Sequence, residues 1–385
     1  MNAVGIICEY NPLHDGHCFH ISEAKKRSGC DTVICVMSGA FVQRGSPAVQ
    51  SPFVRAGWAL KAGADCVLLL PTVYSLSPAD IFASAGIRFL DATGIVSAFS
   101  YGISVPDHEL HERIASVLLA EPESFSSALK TSMKNGLGYP AAVSQALASQ
   151  FETTDDISLV TQSANDMLAV RYLMQNSCLA HPMLPVPVNR LYGISASSVR
   201  EVLSSDLPVS SLPLPSYVRN SLSDMKSFDY DAMLAGQMRK IDETLLSSLP
   251  DTFPGLISQI MKHSSSENSA EKIIAKSCGK NVTRSRVRRI LWYAFLGITA
   301  SFQQQAKETL PYLRVLGIRE DRKDILSALQ EHSSIPVCVS ASDLPDDPFA
   351  QKCAALDALA FDIQALSLQP GNAGSWFRSP LVTVT

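Results

Sequence analysis

The sequence predicts an α/β fold, a doubly wound parallel sheet followed by a mainly helical C-terminal region, on three observations. Before Leu207, short runs that are apolar on both sides alternate with stretches of helical periodicity, the pattern of buried parallel strands joined by crossover helices. Leu207 to Ser216 is rich in Pro and Ser, lacks periodicity and cannot continue a helix. Beyond it the pattern is mostly helical.

In order, strands are expected at Val4 to Cys8, Thr32 to Met37, Cys66 to Leu70, Val96 to Ser100 and Val186 to Val188. Helices are expected between them at His17 to Lys26, Phe53 to Lys61, Ala79 to Leu90, Glu109 to Met133, Tyr139 to Ser149 and Ala164 to Asn176. After the linker come helices at Asp229 to Ser247, Leu256 to Lys262, Ala270 to Lys276 and Ser285 to Phe302. A short α/β finish follows, with strands Leu313 to Leu316 and Val337 to Val339 and helices Arg322 to Glu331 and Asp347 to Leu366. The expected division is residues 1–206, a linker at 207–218, and residues 219–385, with no convincing internal repeat.

Composition bounds the answer. A chain of 385 residues, 46% hydrophobic and 18% charged, exceeds one ordinary core and reads as a packed soluble protein. No apolar run reaches the roughly 20 residues that span a bilayer, and the N-terminus enters a strand with no basic segment or cleavage site, so a cytoplasmic location is expected. Nine cysteines without a C-x-x-C pair fit buried thiols in a reducing compartment. His14, His17 and His20 recur every third residue, whereas zinc histidines on one helix face sit four apart with further ligands nearby, and no metal site is expected. The net charge of −4 does not suggest a nucleic-acid binder, so any such role must rest on local charge.

The first strand passes through Glu9-Tyr10-Asn11-Pro12 into His14-Asp15-Gly16-His17 and a helix start. A strand that turns tightly into a helix leaves backbone N–H groups unpaired, and these with the helix dipole make a place for phosphate. Two histidines around a glycine that lets backbone come close add side-chain donors to the same oxygens. The alternative is a surface turn with two solvated histidines. A second candidate is Ile194-Ser195-Ala196-Ser197-Ser198-Val199-Arg200. Its hydroxyls are good N-caps in their own right, and they can equally cradle phosphate while Arg200 meets the charge with a bidentate fork. Between the two, Ser38 to Val49 follows the second strand and brings Gln43 and Arg44 to the same sheet end.

The H-x-G-H turn resembles the signature of the nucleotidyltransferase superfamily, in which an ATP α-phosphate is attacked and pyrophosphate leaves. Longer strings narrow this: G-I-I-C-E-Y-N-P-L-H-D-G-H at 5–17, V-M-S-G-A-F-V-Q-R-G-S-P-A-V at 36–49, A-L-K-A-G-A-D at 59–65 and P-T-V-Y-S at 71–75. With further matches at Ser163 to Leu168, Arg284 to Arg289 and Tyr312 to Gly317, the chain resembles the bacterial tRNA(Met) cytidine acetate ligase family over nearly its whole length. The resemblance implies a doubly wound parallel-sheet nucleotidyltransferase domain, Rossmann-like and of H-x-G-H type, followed by a mainly helical tRNA-binding domain. It implies activation of acetate by ATP, with Mg2+ as the accompanying ion, to acetyl-adenylate, and acetyl transfer to N4 of the wobble cytidine in elongator tRNA(Met).

Carried over residue by residue, the ATP site comprises Ile7, Cys8, Glu9, Tyr10, Asn11, Pro12, Leu13, His14, Asp15, Gly16, His17, Cys18, Phe19 and His20, then Gly102, Asn165, Arg190 and Leu191, with His14 and His17 catalytic. Ser195 and Arg200 join this set through the second motif. Acetate is ionised at neutral pH, so attack on phosphorus needs alignment and donors rather than a general base. The sequence departs from the family in places. H-D-G-H replaces H-N-G-H, setting Asp15 beside phosphate or turned away from it. Pro52 stands near the position of a usual Lys before Arg55, Leu69-Leu70-Pro71 replaces E-L-P, and Tyr101-Gly102-Ile103-Ser104 replaces F-G-S-E. The segment between Arg190 and Ser195 also lacks a Tyr-His-Asp tract. These changes spare the phosphate cradle and bear on acetate and metal handling. A small-molecule nucleotidyltransferase and a tRNA-binding member with lapsed catalysis are the alternatives.

Arg284, Arg286, Arg288 and Arg289 cluster at the start of an apolar helix, where cations oppose the helix dipole. RNA phosphate would offset that cost, helped by Lys276, Lys280 and Arg314; the other reading is a solvated face paired with acids such as Glu320 or Asp321. Lys280 follows Gly279, but no upstream glycine completes a phosphate-binding loop of the Walker type.

Overall fold

The apolar runs become the centre of one sheet. The computed structural model describes residues 1–151, 155–191, 199–200, 212–222, 228–368 and 373–385. Its strands are β1 (Ala3–Cys8), β2 (Thr32–Ser38), β3 (Phe41–Val42), β4 (Ser46–Pro47), β5 (Cys66–Leu70), β6 (Val96–Ile103), β7 (Leu184–Asn189), β8 (Leu313–Arg319), β9 (Val337–Cys338) and β10 (Val382–Val384). The main sheet runs β10-β8-β5-β2-β1-β6-β7, with β9 beside β8, while β3 and β4 form a small hairpin. β1, β2, β5, β6 and β7 are parallel, and β2 and β5 are buried along their whole length, as strands covered on both faces must be.

Helices α1 (Asp15–Ser28), α2 (Pro52–Lys61), α3 (Thr72–Ser75), α4 (Ala79–Ala92), α5 (His108–Ala120), α6 (Glu123–Lys134), α7 (Tyr139–Ala148), α8 (Asp155–Gln162) and α9 (Ala164–Ser177) precede β7. Strand order proceeds from β1 through β2 to β5, then reverses to β6 on the other side of β1. Right-handed crossovers therefore put α1 and α2 on one face and α4 and α9 on the other, and the reversal leaves a crevice beyond the C-terminal end of β1. α4 lies close on β1 because each element offers a glycine to a side chain of the other. A Cβ on Gly5 would sit 2.4 Å from Leu90, and one on Gly86 would sit 2.6 Å from Ile7.

After β7 come α10 (Ser216–Leu222), α11 (Tyr230–Met238), α12 (Glu243–Ser248), α13 (Pro254–Ser266), α14 (Ala270–Ser277), α15 (Arg284–Leu296), α16 (Ala300–Glu308), α17 (Asp324–His332) and α18 (Pro348–Ala365). Three stretches read as single helices are pairs. Glu109 to Met133 breaks at Glu121, which takes φ 42, and Pro122, which opens α6. Ser285 to Phe302 breaks at Gly297, left-handed at φ 73, after which Thr299 caps α16. Asp229 to Ser247 restarts where the Asp242 side chain caps Leu245. Helix α10 begins at Ser216, inside the expected linker, whose residues up to 211 lie outside the described ones.

The closing strands also differ from expectation. Instead of forming a separate finish, β8 pairs antiparallel with β5, and β9 and β10 pair with β8. A strand as buried as β8 needs more cover than two or three short strands supply, and β5 offers a free edge. Strands from both sides of segment 207–218 thus share one sheet. No helix among the described residues is long and apolar enough to cross a membrane.

Candidate active site

Beyond β1 the chain turns through Tyr10, at φ 44, and enters α1 at His14. The turn places His14 and His17 in parallel contact, ring centroids 3.7 Å apart and planes inclined by 21°, with Tyr10 edge-on to His17 at 5.1 Å. The His14 backbone N–H donates to His17 Nδ1 at 3.2 Å. That nitrogen is thereby an acceptor, which leaves the ring proton of neutral His17 on Nε2 as a donor. His20 Nε2 lies 2.9 Å from Ser100 Oγ, whose own proton goes to the Val186 carbonyl, so His20 donates as well. Buried His14 Nδ1 has no hydrogen-bond partner within the protein.

All three imidazoles are held neutral. Burial, reinforced by the Arg190 guanidinium, lowers His14 and His20 to about 4, and burial with its charged neighbours takes His17 well below its usual value. The consequence for stability has a definite sign. Between about pH 6.5 and 4 the unfolded chain takes up protons that the folded protein refuses, so stability is full above 6.5 and lost as pH falls through that window. Melting temperatures from pH 8 to 4 are expected to show this fall, and His20→Gln is expected to shallow it. A parent profile flat across the window would contradict the neutral assignment.

These groups open into a cavity of about 440 Å³, within the range of small-molecule sites. Arg44, Arg190 and Arg200 line it, with Glu9 the acid among the lining residues. Arg200 donates to the Asn11 carbonyl at 2.6 Å, and Arg190 passes over Gly102, where a Cβ would sit 3.1 Å from its Cγ. Glu9 accepts the Gln43 N–H at 2.8 Å, and burial raises its carboxyl above the usual range. Phe82, Tyr101, Leu168, Ala169, Tyr172 and Val188 give the lining apolar surface suited to a flat base, and the arginines give it cations suited to phosphate.

The walls are set by two buried charges that residue-by-residue reading does not single out as supports. Arg55, fully buried, donates to the carbonyls of Gln50, Glu9, Ser38 and Gly39, tying the ends of β1 and β2 to the loop before α2. Asp166 fixes the start of α9 on the end of β6: it accepts from the N–H groups of Ser104 at 2.8 Å and Val105 at 3.1 Å and from His111 Nε2 at 2.9 Å. Burial works against its charge, yet these bonds and that from Ser163 hold the carboxyl far below its usual value. The spacing Ser163-x-x-Asp166 is a helix-start signal that marks this residue in sequence.

Of the expected nucleotide site, Ile7, Cys8, Glu9, Tyr10, Asn11, His14, Gly16, His17, Phe19, His20, Gly102, Asn165, Arg190, Leu191 and Arg200 line the cavity. Pro12, Leu13, Asp15 and Cys18 do not, because successive residues around a helix start face different ways. Pro12 and Leu13 are buried in the core, Asp15 is exposed, and Cys18 faces Tyr217. Ser195 lies outside the described residues.

The arginine cluster is engaged within the protein. Arg284 and Arg288 both pair with Glu271 at 2.7 Å, and Arg286 donates twice to the Asp251 carbonyl, at 2.8 and 2.5 Å. Arg289, only 6% exposed, reaches the Gln43 carbonyl at 3.2 Å and lies 3.7 Å from the Asp251 carboxylate. The partners are therefore Glu271 and Asp251 rather than Glu320 or Asp321, the latter of which pairs with Arg319. Arg314, expected at the surface, is buried against Trp376, and Lys276 pairs with Glu267.

A mostly parallel sheet with its cleft at the strand-order reversal, an H-x-G-H turn at that cleft and arginines in its lining define a nucleotidyltransferase-type α/β protein. A sequence model described as HIGH Nucleotidyl Transferase matches residues 1–374. The tRNA(Met) cytidine acetate ligase of Acetivibrio thermocellus is 31% identical, with 95% of each chain covered, and that of Clostridium novyi is 32% identical over 88% of this chain and 89% of its own. The crystal structure of Thermotoga maritima TmcAL bound with alpha-thio ATP superposes over the whole of both chains with a TM-score of 0.92 at 25% identity. The chain belongs to the HIGH nucleotidyl transferases and, within them, to the tRNA(Met) cytidine acetate ligase family.

Proposed function

We propose that the protein is a cytoplasmic ligase that activates acetate with ATP and acetylates N4 of the wobble cytidine in elongator tRNA(Met). The observation that carries this is the cavity at the end of β1, where two neutral imidazoles, the first turn of α1 and three arginines converge on one volume. An acetate oxygen attacks the α-phosphorus, the bond from that phosphorus to the bridging oxygen breaks, and pyrophosphate leaves with the electron pair. His17 donates through Nε2–H to a phosphate oxygen as charge gathers there, and the arginines compensate the charge of the leaving group. The N4 amine then attacks the acyl carbon, AMP leaves, and one N4 proton is lost.

A divalent ion belongs to the nucleotide in this reading. No group of three His, Cys, Asp or Glu among the described residues could hold a metal, and no step here is routed through one. The nine cysteines are all free, in keeping with a reducing compartment.

ATP–pyrophosphate exchange measured with and without acetate, followed by transfer of labelled acetate to tRNA, tests the proposal. Exchange is expected only with acetate. Exchange without acetate, with AMP retained in a stable product, would indicate a small-molecule nucleotidyltransferase, and tRNA binding without exchange would indicate lapsed catalysis.

A further inference from the structure

Among the described residues, a group of cations without ion-pair partners lies elsewhere than the arginine cluster. Lys130 and Lys134 lie on the last turns of α6, and the turn to α7 carries Gly136 at φ 84. A Cβ on Gly136 would sit 3.8 Å from Lys280 Nζ, and one on Gly138 would sit 3.6 Å from the Lys280 carbonyl. The α6–α7 tip thus abuts the turn that leads into α15, with exposed Lys280 against the tip and exposed Lys130 and Lys134 on the last turns of α6 leading to it. None of them has an ion-pair partner among the described residues, whereas Lys276, Arg284 and Arg288 nearby are each paired. The acid of the α6–α7 hairpin, Glu123, stands at the opposite end of α6, about 16 Å away along the helix.

The same tip exposes apolar surface. Met133, Leu137 and Tyr139 are 45, 39 and 55% exposed within seven residues of chain. The tip is also preformed: Ser132 donates to Gln145 across the hairpin at 2.8 Å, and the N–H groups of Gly136 and Leu137 are bonded back to Met133 and Ser132. Uncompensated positive charge around an exposed aromatic ring fits a partner with regularly spaced anions and flat faces, which is the chemistry of an RNA strand with unstacked bases.

We infer that the α6–α7 tip with Lys280 is the RNA-docking surface, the lysines meeting phosphates and Tyr139 stacking on a base. This rests on the proposed reading of the protein as a tRNA-modifying enzyme. The hairpin is joined to the site by packing: α7 rests on α8 and α8 on α9, which carries Asn165 and Leu168 of the cavity lining.

The test is binding of the full-length protein to a tRNA(Met) transcript and to an unrelated RNA hairpin, each at several salt concentrations. Replacing Lys130, Lys134 and Lys280 together by Ala is expected to weaken tRNA binding at least about tenfold and to lower the slope of log affinity against log salt by about two, with acetate-dependent exchange unchanged. Tyr139→Ala is expected to weaken binding roughly tenfold at an unaltered slope. Arg284→Ala with Arg288→Ala is expected to bind as the parent does. A triple-lysine variant that keeps the parent affinity and slope overturns the assignment. A parent that binds the hairpin through these lysines but ignores tRNA overturns the tRNA reading and leaves the surface standing; a parent that binds neither overturns both.

Discussion

Alanine in place of His14 or His17 is expected to cut acetate-dependent ATP–pyrophosphate exchange by about 10²-fold or more, the loss that follows removal of one preorganised donor from a transition state. His14 is buried and His17 half-buried, and both rings are neutral, so their N–H groups can meet developing phosphate charge without bringing a charge of their own. Buried His14 Nδ1, unsatisfied within the protein, is the kind of atom a ligand is expected to complete. Because the rings are in contact at 3.7 Å, the double variant should lose less than the product of the single losses. Melting temperatures should move by only a few degrees, since the turn keeps its backbone bonds from the N–H groups of His17 and Cys18 to the His14 carbonyl. Parent-like exchange in either variant would remove the histidines from the mechanism.

Arg55→Ala is expected to destabilise the protein by about 3–5 kcal/mol and to abolish exchange with it. The side chain reaches the Glu9 carbonyl at 2.5 Å, Gln50 at 3.0 Å and Ser38 at 2.9 Å, and also the Gly39 carbonyl. Its loss strands these acceptors in a space closed to water, each costing about 1–3 kcal/mol, and leaves Glu9 without one of its compensating charges. Arg55→Lys should recover part of the stability and little of the activity, because one ammonium cannot span both strand ends. Thermal melts of the two variants beside the parent decide this, and an Arg55→Ala melt within a degree or two of the parent would show that other contacts hold the loops.

Much of the site was legible because it is local. The H-x-G-H turn needs only residues 9–17 and an apolar strand before them, and the runs that became β1, β2 and β5 are buried nearly throughout, so they are read without knowing their neighbours. Helix lengths failed where one breaker residue was outweighed by periodicity, as at Pro122 and Gly297. The arginine cluster was visible as charge, but its partners were not. Glu271 lies 17 residues from Arg288, and Gln43 lies 246 residues from Arg289.

By itself the sequence determined the parallel core, the turn that ends β1 and the two histidines, since each follows from hydrophobic period and turn chemistry within a dozen or so residues; the family came from the resemblance of longer strings spread along the chain. The tertiary structure alone decided that β8 closes the edge of β5 in the antiparallel sense, that Arg55 and Asp166 brace the cavity, that the histidines are neutral, and that the arginines of α15 are paired with Glu271 and Asp251 while the lysines of the α6–α7 tip face solvent. Burial and pairing are properties of what the rest of the chain brings near a residue, and a charge or an imidazole carries no local mark of whether it will meet water, a carbonyl or another ion.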